Sequence, residues 1–159
     1  MESKAVVIAV DNSTECLKAI DFVLQHFPRG YTYHLVHIQP SPLETAMIAG
    51  AAGADFPHAN MYAFQRELNA AAGKVLEKVF APKAGSAGAA VMTMTIDVAS
   101  DSSSHIGAAI CEYAERVKAH ALVLMRHNKT TLGRILLGSV TRHCAVHSPV
   151  PVIIVPGTV

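Results

Sequence analysis

The chain has 159 residues, 51% of them hydrophobic and 16% charged, with a formal net charge of +1 at pH 7. This composition excludes an intrinsically disordered chain, and the length suits one domain with a core of its own. The small net charge argues against a protein that binds nucleic acid through its overall charge. We therefore expect a single globular domain over residues 1–159.

Cysteine content and apolar runs indicate the compartment. The three cysteines, Cys16, Cys111 and Cys144, cannot all pair within one chain, which favours a reducing intracellular setting. The apolar run at residues 5–10 is too short for a signal peptide, and no run approaches the roughly 20 residues that span a bilayer. We expect a cytoplasmic protein that does not associate with membranes.

In chain order, a strand and a helix come first. Residues 5–10 are continuously apolar and β-branched, which is typical of a strand buried on both faces. Asn12 stands three residues before Glu15, which predicts an N-cap for the next helix. The segment 28–30 contains Pro and Gly, and it ends that helix.

A second strand and helix follow, separated by a long connection. Residues 31–39 predict a central strand, whereas residues 40–60 lack periodicity and resemble lids, binding loops or disordered segments. The second helix is predicted from a helically spaced apolar stripe, which consists of Phe64, Leu68, Ala71, Val75 and Val79.

The third strand differs from the others in its pattern. After a small-residue linker at 84–90, apolar and polar residues alternate strictly over residues 91–99, which predicts a half-buried strand at a sheet edge. The serines at 102–104 introduce the third helix.

The remaining elements complete an alternating order. A fourth strand is predicted at 121–125, a fourth helix at 138–147 and a fifth strand at 150–155. Strands that alternate with helices predict an α/β fold, an open parallel sheet with helices on both faces. Ligands of such sheets bind at the carboxyl ends of strands where the strand order reverses. If strands one and four meet there, Asp11 faces the 126–141 loop.

The last third of the chain is basic. No acidic residue follows Glu115, whereas six cationic residues do: Arg116, Lys118, Arg126, Lys129, Arg134 and Arg142. Within this stretch Gly138 and Ser139 open a helix, and the N–H groups of a helix N-terminus form an anion site. This pattern predicts a phosphate site, with a solvated basic face as the alternative.

Several strings together resemble the universal stress protein family of the nucleotide-binding alpha-hydrolase-like (HUP) superfamily. They are Val6-Val-Ile-Ala-Val-Asp11-Asn-Ser, Leu35-Val-His-Ile-Gln-Pro40, Leu122-Val-Leu-Met125, Leu132-Gly-Arg-Ile-Leu-Leu-Gly138-Ser139-Val140 and His147-Ser-Pro-Val-Pro-Val-Ile-Ile-Val155. The resemblance implies a three-layer, Rossmann-like fold with strand order 3-2-1-4-5. It also implies a homodimer formed by antiparallel pairing of the last strands. The apolar segment 150–155 fits such pairing, which Pro149, Pro151 and Pro156 would restrict.

ATP-binding members of that family share the signature Gly-x2-Gly-x9-Gly-Ser/Thr. Counted back from Gly138-Ser139, its first two glycines fall on Met125 and Asn128. Asn tolerates the left-handed backbone region, whereas Met125 brings a bulky side chain to a position where the family's nucleotide packs closely. His120 also replaces the family's usual Asp. The resemblance implies that the ligand is ATP or another adenine nucleotide. The residues expected to bind it are Val10, Asp11, Val36, Met125, Arg126, His127, Asn128, Gly138, Ser139, Val140 and Thr141. Lys129 is expected as a further contact with phosphate.

Other interpretations of these residues stay open. Asp11 either binds a ribose hydroxyl or ends a strand at a turn. His143, Cys144 and His147 resemble a metal cluster, since the two histidines at i and i+4 share a helical face. One such cluster is weak support for zinc, and we expect no structural metal. No catalytic constellation is recognisable, so we expect no enzyme. Two hypotheses remain: a nucleotide-binding stress regulator, and a dimeric interaction or chaperone-like module with a degenerate phosphate site and unidentified protein partners.

Overall fold

The computed structural model describes residues 3–41, 58–126 and 138–157, without the side chains of residues 58–60. Within these ranges five strands and four main helices alternate: β1 (Lys4–Ala9), α1 (Cys16–His26), β2 (Tyr31–Pro40), α2 (His58–Val75), β3 (Ala90–Val98), α3 (Ser103–Arg116), β4 (Ala121–Arg126), α4 (Ser139–His147) and β5 (Val152–Pro156). The connection predicted at 40–60 lies mostly outside the described residues, since β2 runs through Pro40 and α2 begins at His58.

The strands form one parallel sheet in the order β3-β2-β1-β4-β5. In its centre Ile8 of β1 lies beside Leu35 of β2 on one side and Val123 of β4 on the other. This order confirms the predicted α/β fold with strand order 3-2-1-4-5. It also places β3 at an edge, as its alternating sequence predicts.

Buried apolar side chains form two clusters, one on each face of the sheet. Alternate residues of a strand point to opposite faces, so Val6 and Ile8 belong to one cluster and Val7 to the other. The cluster on the α1 side includes residues of α1 and of the helical segment 72–84. The cluster on the α3 side includes residues of α3 and α4. The domain therefore has three layers, with helices on both faces.

The buried stripe of the second helix differs from the predicted one. Phe64 is 49% exposed and Val79 is 42% exposed. The residues that enter the core are spaced by four: Ala72, Leu76, Phe80 and Ala84. In an α-helix a spacing of four drifts by about 40° per step around the axis. A π-helical turn at Leu76–Phe80, followed by a helical turn at Ala81–Ala84, offsets that drift.

Two local predictions were wrong. Asn12 does not cap α1, because the helix begins at Cys16 with Glu15 in the N-cap position and no side-chain cap. The segment 84–90 is not a loose linker, since it includes a 3₁₀ turn at Gly85–Ala87 and reaches β3. The third helix begins at the serines, as predicted. The Ser102 hydroxyl caps α3 by accepting a hydrogen bond from the His105 N–H.

The helices α3 and α4 approach closely at a glycine. A Cβ atom built on Gly107 would lie 2.5 Å from His143 Cδ2 and 3.0 Å from His143 Cβ. Real Cβ atoms do not come this close to other atoms, so α4 occupies space that any other residue at position 107 would need. This contact fixes α4, which begins at the predicted phosphate site, against α3.

Candidate functional site

The candidate site lies at the carboxyl ends of β1 and β4. These strands are neighbours, and the strand order reverses between them, since β2 and β5 follow on their outer sides. Asp11 follows β1, and Arg126 ends β4. The topology therefore brings both predicted residues to the edge of the sheet where ligands of doubly wound folds bind.

The Asp11 side chain organises the turn between β1 and α1. Its Oδ1 atom accepts hydrogen bonds from the Ser13 N–H at 2.7 Å and from the Cys16 thiol at 3.3 Å. Burial, together with the nearby Asp11 charge, raises the pKa of the Cys16 thiol to about 12, so this thiol stays protonated and can donate. Asp11 is exposed, and these two bonds hold its carboxylate beside the carboxyl end of β1.

Val10 and Val36 lie near the carboxyl ends of β1 and β2, and both side chains are buried. The Val10 N–H donates to the Val36 carbonyl at 2.9 Å. His37 Nδ1 donates to the Val10 carbonyl at 3.1 Å. The sequence interpretation missed this role of His37; a histidine inside an apolar central strand is the available signal, since a buried ring nitrogen requires a partner.

Met125 and Arg126 leave β4 on opposite faces of the sheet. Met125 is 4% exposed and belongs to the cluster on the α1 side, together with Val10 and Cys16. Arg126 shares its face with Leu122 and Leu124, which pack on the α3 side. The side chain at the first missing signature glycine is thus in the core, on the face away from α4.

Arg126 carries an unusual polar atom. Its Nε is shielded from solvent and has no hydrogen-bond partner among the described residues. A guanidinium N–H without an acceptor is costly inside a protein, because burial removes the water that would otherwise solvate it. A bound anion would supply the missing acceptor.

The first turn of α4 presents backbone donors at the same edge. Gly138 is the N-cap with φ −53° and ψ 146°, a conformation open to any residue. Among the described residues, a Cβ built on Gly138 would meet only Thr141 Oγ1, at an ordinary contact distance of 3.8 Å. The N–H groups of the first helical turn have no acceptor within their helix. Ser139, Val140 and Thr141 provide three of them.

The hydroxyl of Ser139 contacts a second helix. Ser103 Oγ and Ser139 Oγ form a hydrogen bond, which joins the N-terminal turns of α3 and α4. Sequence reasoning treated Ser102 to Ser104 only as a helix start and missed this link. The predicted contacts His127, Asn128 and Lys129 lie outside the described residues.

The side chains of His143, Cys144 and His147 do not point to a common metal position. The rings of His143 and His147 stack nearly parallel, with centroids 4.4 Å apart. The Cys144 thiol is fully buried and donates to the Gly107 carbonyl at 3.7 Å. Within residues 3–41, 58–126 and 138–157, no three His, Cys, Asp or Glu side chains are placed to hold a metal ion.

Comparison with known proteins identifies the class to which this fold and crevice belong. The profile described as "Universal stress protein family" matches residues 2–156. The chain therefore belongs to the universal stress protein family, as its sequence predicts. No curated protein sequence gives a significant match.

Solved structures share the fold. The hypothetical protein MJ0577, whose biochemical function was assigned from its structure, superposes with a TM-score of 0.77 at 19% identity, covering 100% of this chain and 99% of that one. A universal stress protein in complex with cAMP gives 0.59 at 24% identity, covering 99% and 100%. The universal stress protein from Archaeoglobus fulgidus in complex with dAMP gives 0.64 at 20% identity, covering 97% and 98%.

No helix in the described parts of the chain is long and apolar enough to cross a membrane.

Proposed function

We propose that this protein is a cytoplasmic stress-response regulator that binds ATP or a related adenine nucleotide in the crevice between β1 and β4. Two observations outside the site support the nucleotide class. The chain belongs to the universal stress protein family, and two structures of the same fold hold cAMP and dAMP. Both ligands combine an adenine base with a phosphate group.

The buried, unpartnered Nε of Arg126 is the observation that carries this proposal. Phosphate oxygens are strong acceptors, and a guanidinium group binds them with paired, charge-assisted hydrogen bonds. Arg126 leaves β4 on the face that α4 covers, where the donors of the first α4 turn also lie. Because Gly138 has no side chain, a phosphate can approach those donors.

The remaining candidate residues would contact different parts of the nucleotide. Asp11 would accept from a ribose hydroxyl, while the backbone of Val10 and Val36 would border the base. Ser139, Val140 and Thr141 would donate to the phosphates from the α4 side. Met125 would present only its backbone, because its side chain packs on the α1 side. His127, Asn128 and Lys129 would complete the phosphate loop.

A second candidate function is a dimeric interaction module whose phosphate site is degenerate. The substitution of Met125 and Asn128 for two signature glycines favours it. Its contact surface would be β5, which lies at the edge of the sheet and is short and apolar. Antiparallel pairing of β5 with that of a second copy would bury its unpaired backbone groups. We propose this homodimer under either function.

Neither function requires catalysis or a structural metal. The Ser139 hydroxyl bonds to the Ser103 hydroxyl and not to a histidine, so this bond does not activate it as a nucleophile. Stabilisation of a phosphate alone does not hydrolyse it. We therefore propose a binding protein that is not an enzyme and has protein partners yet to be identified.

Thermal unfolding with and without MgATP, ADP, AMP and cAMP tests the proposal. A ligand that binds only the folded state adds about 2.7 kcal/mol at a hundredfold excess over its Kd. Gly138→Asp should abolish the shift because its carboxylate repels phosphate, yet leave the ligand-free protein stable, since Asp is a good N-cap. Gly138→Asn is the control, because the asparagine side chain has the size of aspartate but no charge. No shift with millimolar nucleotide in the unaltered protein would contradict nucleotide binding and favour the interaction module.

A further inference from the structure

Two cysteine thiols meet between α3 and α4, away from the crevice. Cys111 is 7% exposed and Cys144 is fully buried, and both belong to the cluster on the α3 side. The Cys144 thiol donates to the carbonyl of Gly107, which lies one helical turn before Cys111 on α3. Cys144 therefore sits across the turn that carries Cys111. The third cysteine, Cys16, lies in the cluster on the opposite face.

The close helix approach at Gly107 brings the two sulfur atoms together. Because Gly107 has no side chain, His143 of α4 reaches within 3.0 Å of where its Cβ would be. The next residue, Cys144, packs in the same buried cluster as Cys111. Burial first, and then the neighbouring Cys111, raises the pKa of Cys144 to about 12. All three cysteines are free thiols in this structure.

We propose that Cys111 and Cys144 form an oxidisable dithiol, a modification site that a hydroperoxide converts into a disulfide joining α3 to α4. In the first step the Cys111 sulfur attacks the peroxide, which leaves as an alcohol or water, and a sulfenic acid forms at Cys111. In the second step Cys144 displaces the sulfenic hydroxyl. The S–S bond forms, and the thiol proton of Cys144 leaves with that hydroxyl as water.

The order of the two steps follows from exposure. Cys111 is the more accessible of the two sulfurs, so it meets the oxidant, whereas Cys144 has no exposed surface and serves as the resolving thiol. Low access makes the reaction slow in the folded protein. The product ties α4 to α3 and closes a loop over residues 111–144, which removes conformational entropy from the unfolded chain. Neither sulfur belongs to the candidate nucleotide site, so the disulfide can be tested in protein without bound nucleotide.

Mass spectrometry of the full chain tests this inference. The protein is treated with hydrogen peroxide, unreacted thiols are alkylated under denaturing conditions, and cysteine-containing peptides are mapped without reductant. We expect the unaltered protein to lose two hydrogen atoms and to yield a peptide linking Cys111 to Cys144. The link should vanish on reduction, and the oxidised form should melt several degrees higher than the reduced form.

Variants separate this pair from general oxidation. Cys16→Ala, the matched control on the other face of the sheet, should form the same link at the same rate. Cys111→Ala and Cys144→Ala should each fail to form the link. If either variant folds poorly, peptide mapping of the unaltered protein still shows whether the Cys111–Cys144 disulfide forms. A link that involves Cys16, crosslinks only between molecules, or overoxidation of Cys111 without a disulfide would overturn the proposal.

Discussion

The contact between Gly107 and His143 allows a quantitative prediction about stability. Gly107→Ala adds a Cβ that would lie 2.5 Å from the His143 ring and 3.0 Å from His143 Cβ. The ring must move aside, and the 3.0 Å contact with Cβ requires α3 and α4 to shift by a few tenths of an ångström. Overpacking of this kind costs typically 1–3 kcal/mol, while alanine gains about 1 kcal/mol over glycine in a helix.

Gly73→Ala is a matched control, because no atom of the described residues would lie within 4 Å of a Cβ at Gly73 in α2. The control should gain roughly 0.5–1 kcal/mol from helix propensity alone. Gly107→Ala should therefore be about 1–3 kcal/mol less stable than the control in urea unfolding, equivalent to roughly 2–10 °C in melting temperature.

A double variant locates the cause. His143→Ala removes the atoms beyond Cβ and lets α4 adjust, so Gly107→Ala combined with His143→Ala should recover most of the lost stability, with a coupling energy of about 1 kcal/mol or more. If Gly107→Ala unfolds at the same urea concentration as Gly73→Ala, the close approach of α3 and α4 is refuted.

Three further predictions concern other contacts. Burial lowers the pKa of His34, so the unfolded chain takes up a proton more readily than the folded protein. The contribution of neutral His34 to the free energy of unfolding should therefore be fully present above the unfolded pKa of about 6.5 and decrease as the pH falls below it. In urea titrations between pH 7 and pH 5, His34→Asn should make stability depend less on pH. Ser102→Ala should cost about 1 kcal/mol by removing the cap of α3, whereas Ser102→Asp should not, as chemical denaturation would reveal. Asp21 lies 2.7 Å from Lys83, but both are well exposed, so Asp21→Asn should cost less than about 1 kcal/mol, and a larger loss that persists in high salt would contradict a surface ion pair.

The sheet could be predicted from the sequence because its central strands are buried on both faces. Such strands are continuous apolar runs, as at β1 and β4, and the alternation in β3 marks its edge position. The buried face of the second helix could not be predicted from an α-helical period. Its contacts at Leu76 and Phe80 depend on a π-helical turn that leaves no clear pattern in the sequence.

The position of the candidate residues was predictable only in part. The sequence predicts Asp11 after a strand and Gly138 before a helix, and the structure places both there. The direction of the Met125 side chain depends on strand register, which is set by pairing with distant strands. The bond between Ser103 and Ser139 joins residues 36 positions apart, and no local pattern indicates it.

Calorimetric titration of MgATP into the unaltered protein and into Arg126→Met tests the central claim most directly. The control for loss of one cation is Arg29→Met, since Arg29 is exposed and precedes β2 at the opposite edge of the sheet. We expect binding to the unaltered protein and the control, and at least tenfold weaker binding to Arg126→Met. The ligand-free Arg126→Met protein should be no less stable, because Nε has no partner to lose among the described residues. Equal affinity of all three proteins for ATP, or no binding by any of them, would contradict the account.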